Sequence, residues 1–291
     1  MSQSRLKIFI TGSDGFIGQH IKNSLTDDYN LLLPSKKKLN LNRINDLKKY
    51  LNKNKPDLII HLASSTKFKN KKIDEKYNQI KNTLNITKNL INSINPECKL
   101  TIFFGSIEEY GNIKTPFNEK FKVKPMTYYG KYKFKALKYA KKILTKKKLN
   151  YLWLRPSLTY GKKDNRERFL GHIIYSLKKN RSFSIKPGNQ YRDFLYIEDL
   201  CYILKKFIKN YKRTYNTIIN ISSENYVKLK NVPAIIQKIT NKKVNYNILR
   251  LAHSDLDLLS SNRKLLKLFP DLIFTDFNTG LRKTLRMEGI I

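Results

Sequence analysis

The first two-thirds of the chain alternate short apolar runs with longer amphipathic stretches. Leu6 to Ile10, Leu31 to Leu33, Asp57 to Leu62, Leu100 to Phe104 and Tyr151 to Leu154 are runs rich in consecutive apolar residues. That is the pattern of strands buried on both faces of a parallel sheet. Between them Ile17, Ile21 and Leu25 recur at helical spacing, and helices are predicted around Ile44 to Leu51, Leu84 to Ile94 and Phe134 to Leu144. Strands and helices in alternation predict βαβ units. Beyond Arg155 and Pro156 the rhythm turns irregular, with a helix near Ile173 to Leu177 and a final helical region. The expected division is a first domain over 1–165, joined by a returning segment near 192–221, and a second over 166–291.

Composition narrows the class. With 291 residues, 40% of them apolar, the chain can build a sizeable core in spite of its charge. No run of about 18 apolar residues is present, so no membrane span is expected. The N-terminus lacks the apolar stretch of a signal peptide, and two cysteines, Cys98 and Cys201, suit a reducing cytoplasm better than a disulfide framework. Lys and Arg number 59 against 22 Asp and Glu, a net charge of +37. The lysines are spread along the whole chain, as at Lys36–Lys38, Lys146–Lys148 and Lys242–Lys243. They read as solvated faces, and no nucleic-acid partner is expected. The field still favours anionic small molecules, nucleotides among them.

Three segments carry chemistry. Thr11-Gly12-Ser13-Asp14-Gly15-Phe16-Ile17-Gly18 places glycines at 12, 15 and 18 between a strand and a helix. There Gly12 permits a tight turn, Gly15 lets backbone approach a pyrophosphate, and Gly18 lets the helix pack closely. The diphosphate would sit at the positive end of the helix dipole. No Gly-Lys-Ser/Thr follows, which excludes a P-loop. Tyr129-Gly-Lys-Tyr-Lys133 puts a phenol and an ammonium on one helix face, and a nearby cation brings a phenol towards working range as an acid. Ser106 stands upstream, at the end of the strand Leu100 to Phe104.

Together these segments resemble the extended short-chain dehydrogenase/reductase superfamily, whose members act on nucleotide sugars. The resemblance runs from about Lys7 to Asp199 and implies a Rossmann-type doubly wound parallel sheet with a smaller C-terminal α/β substrate domain. It implies a catalytic triad of Ser106, Tyr129 and Lys133, with Lys133 also holding the nicotinamide ribose. It implies cofactor contacts from Gly12, Asp14, Gly15, Phe16, Ile17, Gly18, Ser35, Lys36, Leu62, Ala63, Ser64 and Asn82, besides Tyr129 and Lys133. Substrate contacts would come from Ser106, Glu108, Tyr160 and Arg192, the last from a segment resembling the family's Arg-Asp-Phe-x-Tyr-Val-x-Asp. Leu158 departs from the family, standing where many members place an Asn that touches substrate. Members commonly pair as dimers, so a homodimer is expected.

Departures from the family narrow the reaction. The 4,6-dehydratases carry Asp-Glu directly after the triad Thr; here Ile107-Glu108 stands there, and the Asp is missing. The bifunctional 3,5-epimerase/4-reductases use a Cys where Glu108 stands. An NAD site usually ends its second strand in Asp or Glu, whereas here Pro34, Ser35 and Lys36 follow, which favours NADP(H) while leaving NAD(H) open. The expected activity is therefore NADPH-dependent reduction of the C4 ketone of a nucleotide-activated 4-keto-6-deoxy sugar. A 4-epimerase with tightly held NAD is the alternative, and a non-catalytic basic RNA-binding or regulatory relative a remote one. No metal is expected, since His20, His61, His172 and His253 are scattered, and His61 in its apolar strand reads as a satisfied core residue.

Overall fold

The computed structural model describes residues 5–64, 73–249 and 256–291, so Met1 to Ser4 and His253 lie outside it. From the N-terminus run β1 (Lys7–Thr11), α1 (Phe16–Leu25), β2 (Asn30–Leu32), α2 (Ile44–Asn54), β3 (Leu58–His61), α3 (Ile73–Ser93) and β4 (Leu100–Phe104). A 3₁₀ turn over Ile107–Glu109 precedes α4 (Tyr128–Lys146), β5 (Tyr151–Pro156), β6 (Leu158–Tyr160), α5 (Phe169–Lys178), β7 (Phe183–Ile185) and β8 (Tyr191–Tyr196). Then come α6 (Ile197–Lys209), β9 (Thr217–Ile221), β10 (Tyr226–Lys228), α7 (Val232–Thr240), β11 (Tyr246–Ile248), α8 (Arg263–Leu268) and α9 (Phe277–Met287). Among the described residues no helix is long and apolar enough to cross a membrane.

Six strands form one sheet in the order β2-β1-β3-β4-β5-β9. Ile8 pairs in parallel with Leu31 on one side and Leu58 on the other, so β1 is central, and its Ile8, Phe9 and Ile10 are wholly buried. The chain runs outward from β1 to β2 and then crosses back to β3. That reversal makes a switch point between β1 and β3, and the carboxyl ends of strands at such a point form a binding crevice. This is the doubly wound α/β sheet expected from the alternation. Helix α4 buries Tyr132, Lys133, Ala136, Leu137, Ala140 and Leu144, an i, i+3, i+4 stripe that packs with Leu90 and Ile91 of α3 over the sheet.

Both of these helices start earlier than the ranges predicted for them, Leu84 to Ile94 and Phe134 to Leu144. For α4 the reason is a cap: Thr127 Oγ1 accepts from Gly130 N at 2.9 Å, holding an N-terminal turn whose Tyr128 and Lys131 face solvent. For α3 the early part exposes Asn78, Lys81 and Asn82, while Ile73, Tyr77 and Ile80 continue the helical spacing back from Leu84, beyond the predicted start. Asn82 therefore sits inside a helix rather than before one.

The chain divides into two units: residues 1–111, 122–155 and 201–219, and residues 112–121, 156–200 and 220–291. In the second unit β10-β8-β6 form a small sheet and β11 pairs with β7. Tyr160, Phe194, Tyr196 and Phe277 cluster there, with ring centroids 4.7–6.0 Å apart. Asp193, wholly buried, accepts hydroxyl protons from Ser157, Ser222 and Ser223, and burial pushes its carboxyl up to about 6.

Candidate active site

The glycine turn lies between β1 and α1. Gly12 adopts φ +74°, and a Cβ there would stand 2.7 Å from Ala63 N, so only glycine lets β1 and the end of β3 meet. Gly15 is the N-cap of α1 and brings no capping side chain, which leaves first-turn N–H groups open to an outside acceptor. A Cβ at Gly18 would come within 2.1 Å of the Gly12 carbonyl oxygen, so this glycine seats the helix on the turn itself. Gly18→Ala is expected to cost about 1–3 kcal/mol through that clash, read as a lower urea midpoint at unchanged slope. Asp14 and Gly15 are exposed, while Phe16 and Ile17 are half-buried at the mouth of the turn.

The ends of neighbouring strands complete one rim. Leu62 N bonds Thr11 O at 3.1 Å, and Ala63 N bonds Thr11 Oγ1 at 3.3 Å. Ser64 follows, half-buried. Just beyond β2, Ser35 O accepts from Lys38 N and Leu39 N at 2.9 Å each, a turn that leaves Ser35, Lys36, Lys37 and Lys38 exposed with no acid between Tyr29 and Ile44.

Beneath this rim His61 is buried with both ring nitrogens engaged, Nδ1 with Thr11 Oγ1 at 2.7 Å and Nε2 with Thr87 Oγ1 at 2.9 Å. Thr87 donates to Thr83 O, so it accepts from His61 Nε2–H, and Nδ1 in turn accepts from Thr11. One neutral tautomer satisfies every partner. Burial, helped by the charge of Lys133, holds the imidazole down to about 3. His61 thus ties the glycine turn to α3 as a satisfied core residue.

Ser106 follows β4 in extended backbone and caps the 3₁₀ turn. Its Oγ accepts from Glu108 N at 3.1 Å, which leaves its own proton to be donated. Glu108 is half-buried and accepts from Thr127 Oγ1 at 2.7 Å. Gly130 lets α4 approach this turn: a Cβ there would stand 2.3 Å from Glu108 O. On α4, Lys133 Nζ lies 5.4 Å from the ring centroid of half-buried Tyr129 and donates to Phe104 O at 2.6 Å. Lys133 is buried, and desolvation pulls its ammonium down to about 8, with the carboxylate of Glu109 opposing. A phenol and an ammonium on one helix face, and a serine hydroxyl at the end of β4, are groups that can deliver a proton to, and brace, an oxygen that gains charge.

Glu109 belongs to none of the sequence motifs. It is wholly buried and binds Ser106 N, Trp153 Nε1 and Arg155 Nε. Tyr160 and Arg192 belong to the second unit. Tyr160 is buried in the aromatic cluster and donates to Phe277 O at 3.3 Å, so its hydroxyl is already committed. Arg192 is half-buried, with Nη1 on Tyr191 O at 2.8 Å and Leu256 O at 2.7 Å.

The family model of the NAD-dependent epimerase/dehydratase family matches residues 8–222. A CDP-abequose synthase of Salmonella muenchen is 21% identical over 310 residues, covering 97% of this chain and 98% of that protein. Among solved structures, a GDP-mannoheptose C4 reductase from Campylobacter jejuni with NADP bound is similar at TM-score 0.84 and 22% identity, covering 99% of this chain and 100% of that one. A UDP-glucuronic acid 4-epimerase from Bacillus cereus in complex with UDP-glucuronic acid and NAD is similar at TM-score 0.86 and 20% identity, covering 98% and 99%.

Proposed function

The chain belongs to the NAD-dependent epimerase/dehydratase family, and within it we propose that this protein uses NADPH to reduce the C4 ketone of a nucleotide-activated 4-keto-6-deoxy sugar. The observation that carries the reductase reading is the end of β2, where Ser35 and three exposed lysines stand without a carboxylate. A carboxylate there would bind a ribose 2′-OH and repel a 2′-phosphate, whereas a hydroxyl beside lysines suits the phosphate. The likeness to a C4 reductase carrying NADP supports the same choice.

The residues fit the cofactor. The glycine cradle and the uncapped start of α1 offer N–H groups to a diphosphate, a place that a side chain at 12 or 18 would fill. Lys133 suits the nicotinamide ribose. Reduced nicotinamide, when bound, supplies a hydride. Tyr129 gives its proton to the ketone oxygen as that oxygen gains charge, Ser106 donates its hydroxyl to the same oxygen, and Lys133 stabilises the phenolate left behind. The ketone becomes an alcohol by gaining one hydride and one proton. Arg192 is the residue of the second unit suited to the sugar diphosphate. The same reading holds the protein to be a homodimer.

The test is the nucleotide content of the purified protein, followed by NADPH oxidation against a panel of 4-keto-6-deoxy sugar nucleotides. A site free of retained NAD, with substrate-dependent NADPH loss, supports the reductase. Retained NAD with no net oxidation points to a 4-epimerase, the reading favoured by the epimerase likeness. A further expectation concerns Ser35: Ser35→Asp should shift the ratio of NADPH to NADH dissociation constants by about 100-fold towards NADH, measured by fluorescence titration.

A further inference from the structure

We propose that Glu109 is a positioning residue whose single buried carboxylate both anchors the backbone of Ser106 and supplies the counter-charge of Lys133. The inference rests on the reading of Ser106, Tyr129 and Lys133 as the reacting group, and deepens it.

The geometry is closed on every side. Glu109 Oε1 accepts from Ser106 N at 3.0 Å and from Trp153 Nε1 at 2.9 Å, and Oε2 accepts from Arg155 Nε at 2.9 Å. Trp153 and Arg155 lie on β5, next to β4 in the sheet, so the carboxylate reaches across one strand spacing to pin the loop that carries Ser106. Gly105 makes room for this: a Cβ there would stand 2.2 Å from both Glu109 Oε1 and Trp153 Nε1. The Arg155 guanidinium is in turn stacked 4.5 Å above the Tyr110 ring.

Charge gives the second half. Lys133 faces the rings of Tyr129 and Tyr132 on its own helix, each 5.4 Å from Nζ, the Phe104 carbonyl from β4, neutral His61 from β3, and Glu109 from the 3₁₀ turn. Of these only Glu109 carries negative charge. Arg155 alone would be served by any buried pair, and such pairs can be replaced by apolar residues with little loss of stability. An acceptor aimed at Ser106 N and felt by Lys133 is a more specific arrangement than a structural ion pair requires.

Two variants separate the readings: Glu109→Gln, and the apolar double variant Glu109→Leu with Arg155→Met, which carries the test should the single variant not fold. We expect Glu109→Gln to lower kcat by about 10–100-fold, while KM and the NADPH dissociation constant stay within about threefold. Removing the negative charge also removes what holds the Lys133 proton, so the Lys133 titration, read by NMR of ε-¹³C-lysine protein, and the alkaline limb of kcat both move to lower pH. The double variant should be folded and equally slow. Wild-type kcat with an unmoved Lys133 titration in Glu109→Gln would overturn the proposal, as would recovery of wild-type kcat in the double variant. If the unaltered protein turns over none of the panel, the reductase reading fails, and the NMR titration still decides the role of Glu109.

Discussion

Tyr129→Phe is expected to fold, to bind NADPH as the unaltered protein does, and to lose kcat by about 10³-fold or more, at the upper end of what a positioned acid contributes. The ring of Tyr129 packs 5.4 Å from Lys133 Nζ and 6.4 Å from the Tyr132 ring, and phenylalanine keeps these contacts while removing only the proton donor. Substrate affinity drawn from the nucleotide and diphosphate is untouched, so the loss falls on kcat rather than on KM. Tyr128 provides the control. It is 61% exposed on the other side of the helix start, with the Lys131 ammonium 5.9 Å from its ring centroid, and Tyr128→Phe should retain turnover. Steady-state NADPH oxidation by the two variants checks both statements, and comparable losses in both would remove Tyr129 from its role.

Lys133→Met should give a protein that is more stable and inactive. A buried ammonium drawn from 10.5 to about 8 corresponds to roughly 3 kcal/mol of disfavoured charge near neutral pH. Against this, Phe104 O loses its donor at a cost of about 1 kcal/mol. A net gain of about 1–2 kcal/mol remains, and methionine fills the volume of the lysine stem. The sign with pH follows from the lowered value. Between about 8 and 10.5 the unfolded chain holds the proton that the folded chain has released, so this lysine makes stability rise with pH across that window. Lys133→Met lacks that rise, so its advantage fades across the window, and above it the parent is ahead by the Phe104 O hydrogen bond, about 1 kcal/mol. Urea unfolding near neutrality and at the top of the window measures the difference. A variant less stable than its parent at neutral pH would show that the ammonium is stabilising where it lies.

Strands β1, β3, β4 and β5 are readable in the amino-acid pattern because each is buried on both faces and so is apolar along most of its length. The helices were readable only along their buried stripes. The early part of α3 carries Ile73, Tyr77 and Ile80 at helical spacing ahead of Leu84, a thin stripe diluted by Asp74, Glu75, Lys76 and Asn78. Apart from β8, the strands of the second unit are three residues long, and their residues read as loops and motifs. The site divides in the same way. The glycine turn and Tyr129-x-x-x-Lys133 are local in sequence, and local spacing reveals them. Glu109 sits in Glu108-Glu109, which looks like a solvated acidic pair; its partners Trp153 and Arg155 are 44 and 46 residues on. The signal that was present is an arginine in an otherwise apolar strand, which demands a buried acid somewhere. His61 gave the same kind of hint, and its partners Thr11 and Thr87 come from separate elements.

The proposed reaction is a net transfer of hydride to C4 of the sugar, with Tyr129 supplying the proton. It is tested most directly with NADPH deuterated at the transferable position of the nicotinamide, incubated with a 4-keto-6-deoxy sugar nucleotide and analysed by mass spectrometry and NMR. Stoichiometric oxidation of NADPH is expected, with the deuterium at C4 of a new alcohol. An undiminished pool of labelled NADPH, together with a nucleotide sugar recovered only as its C4 epimer, would contradict it.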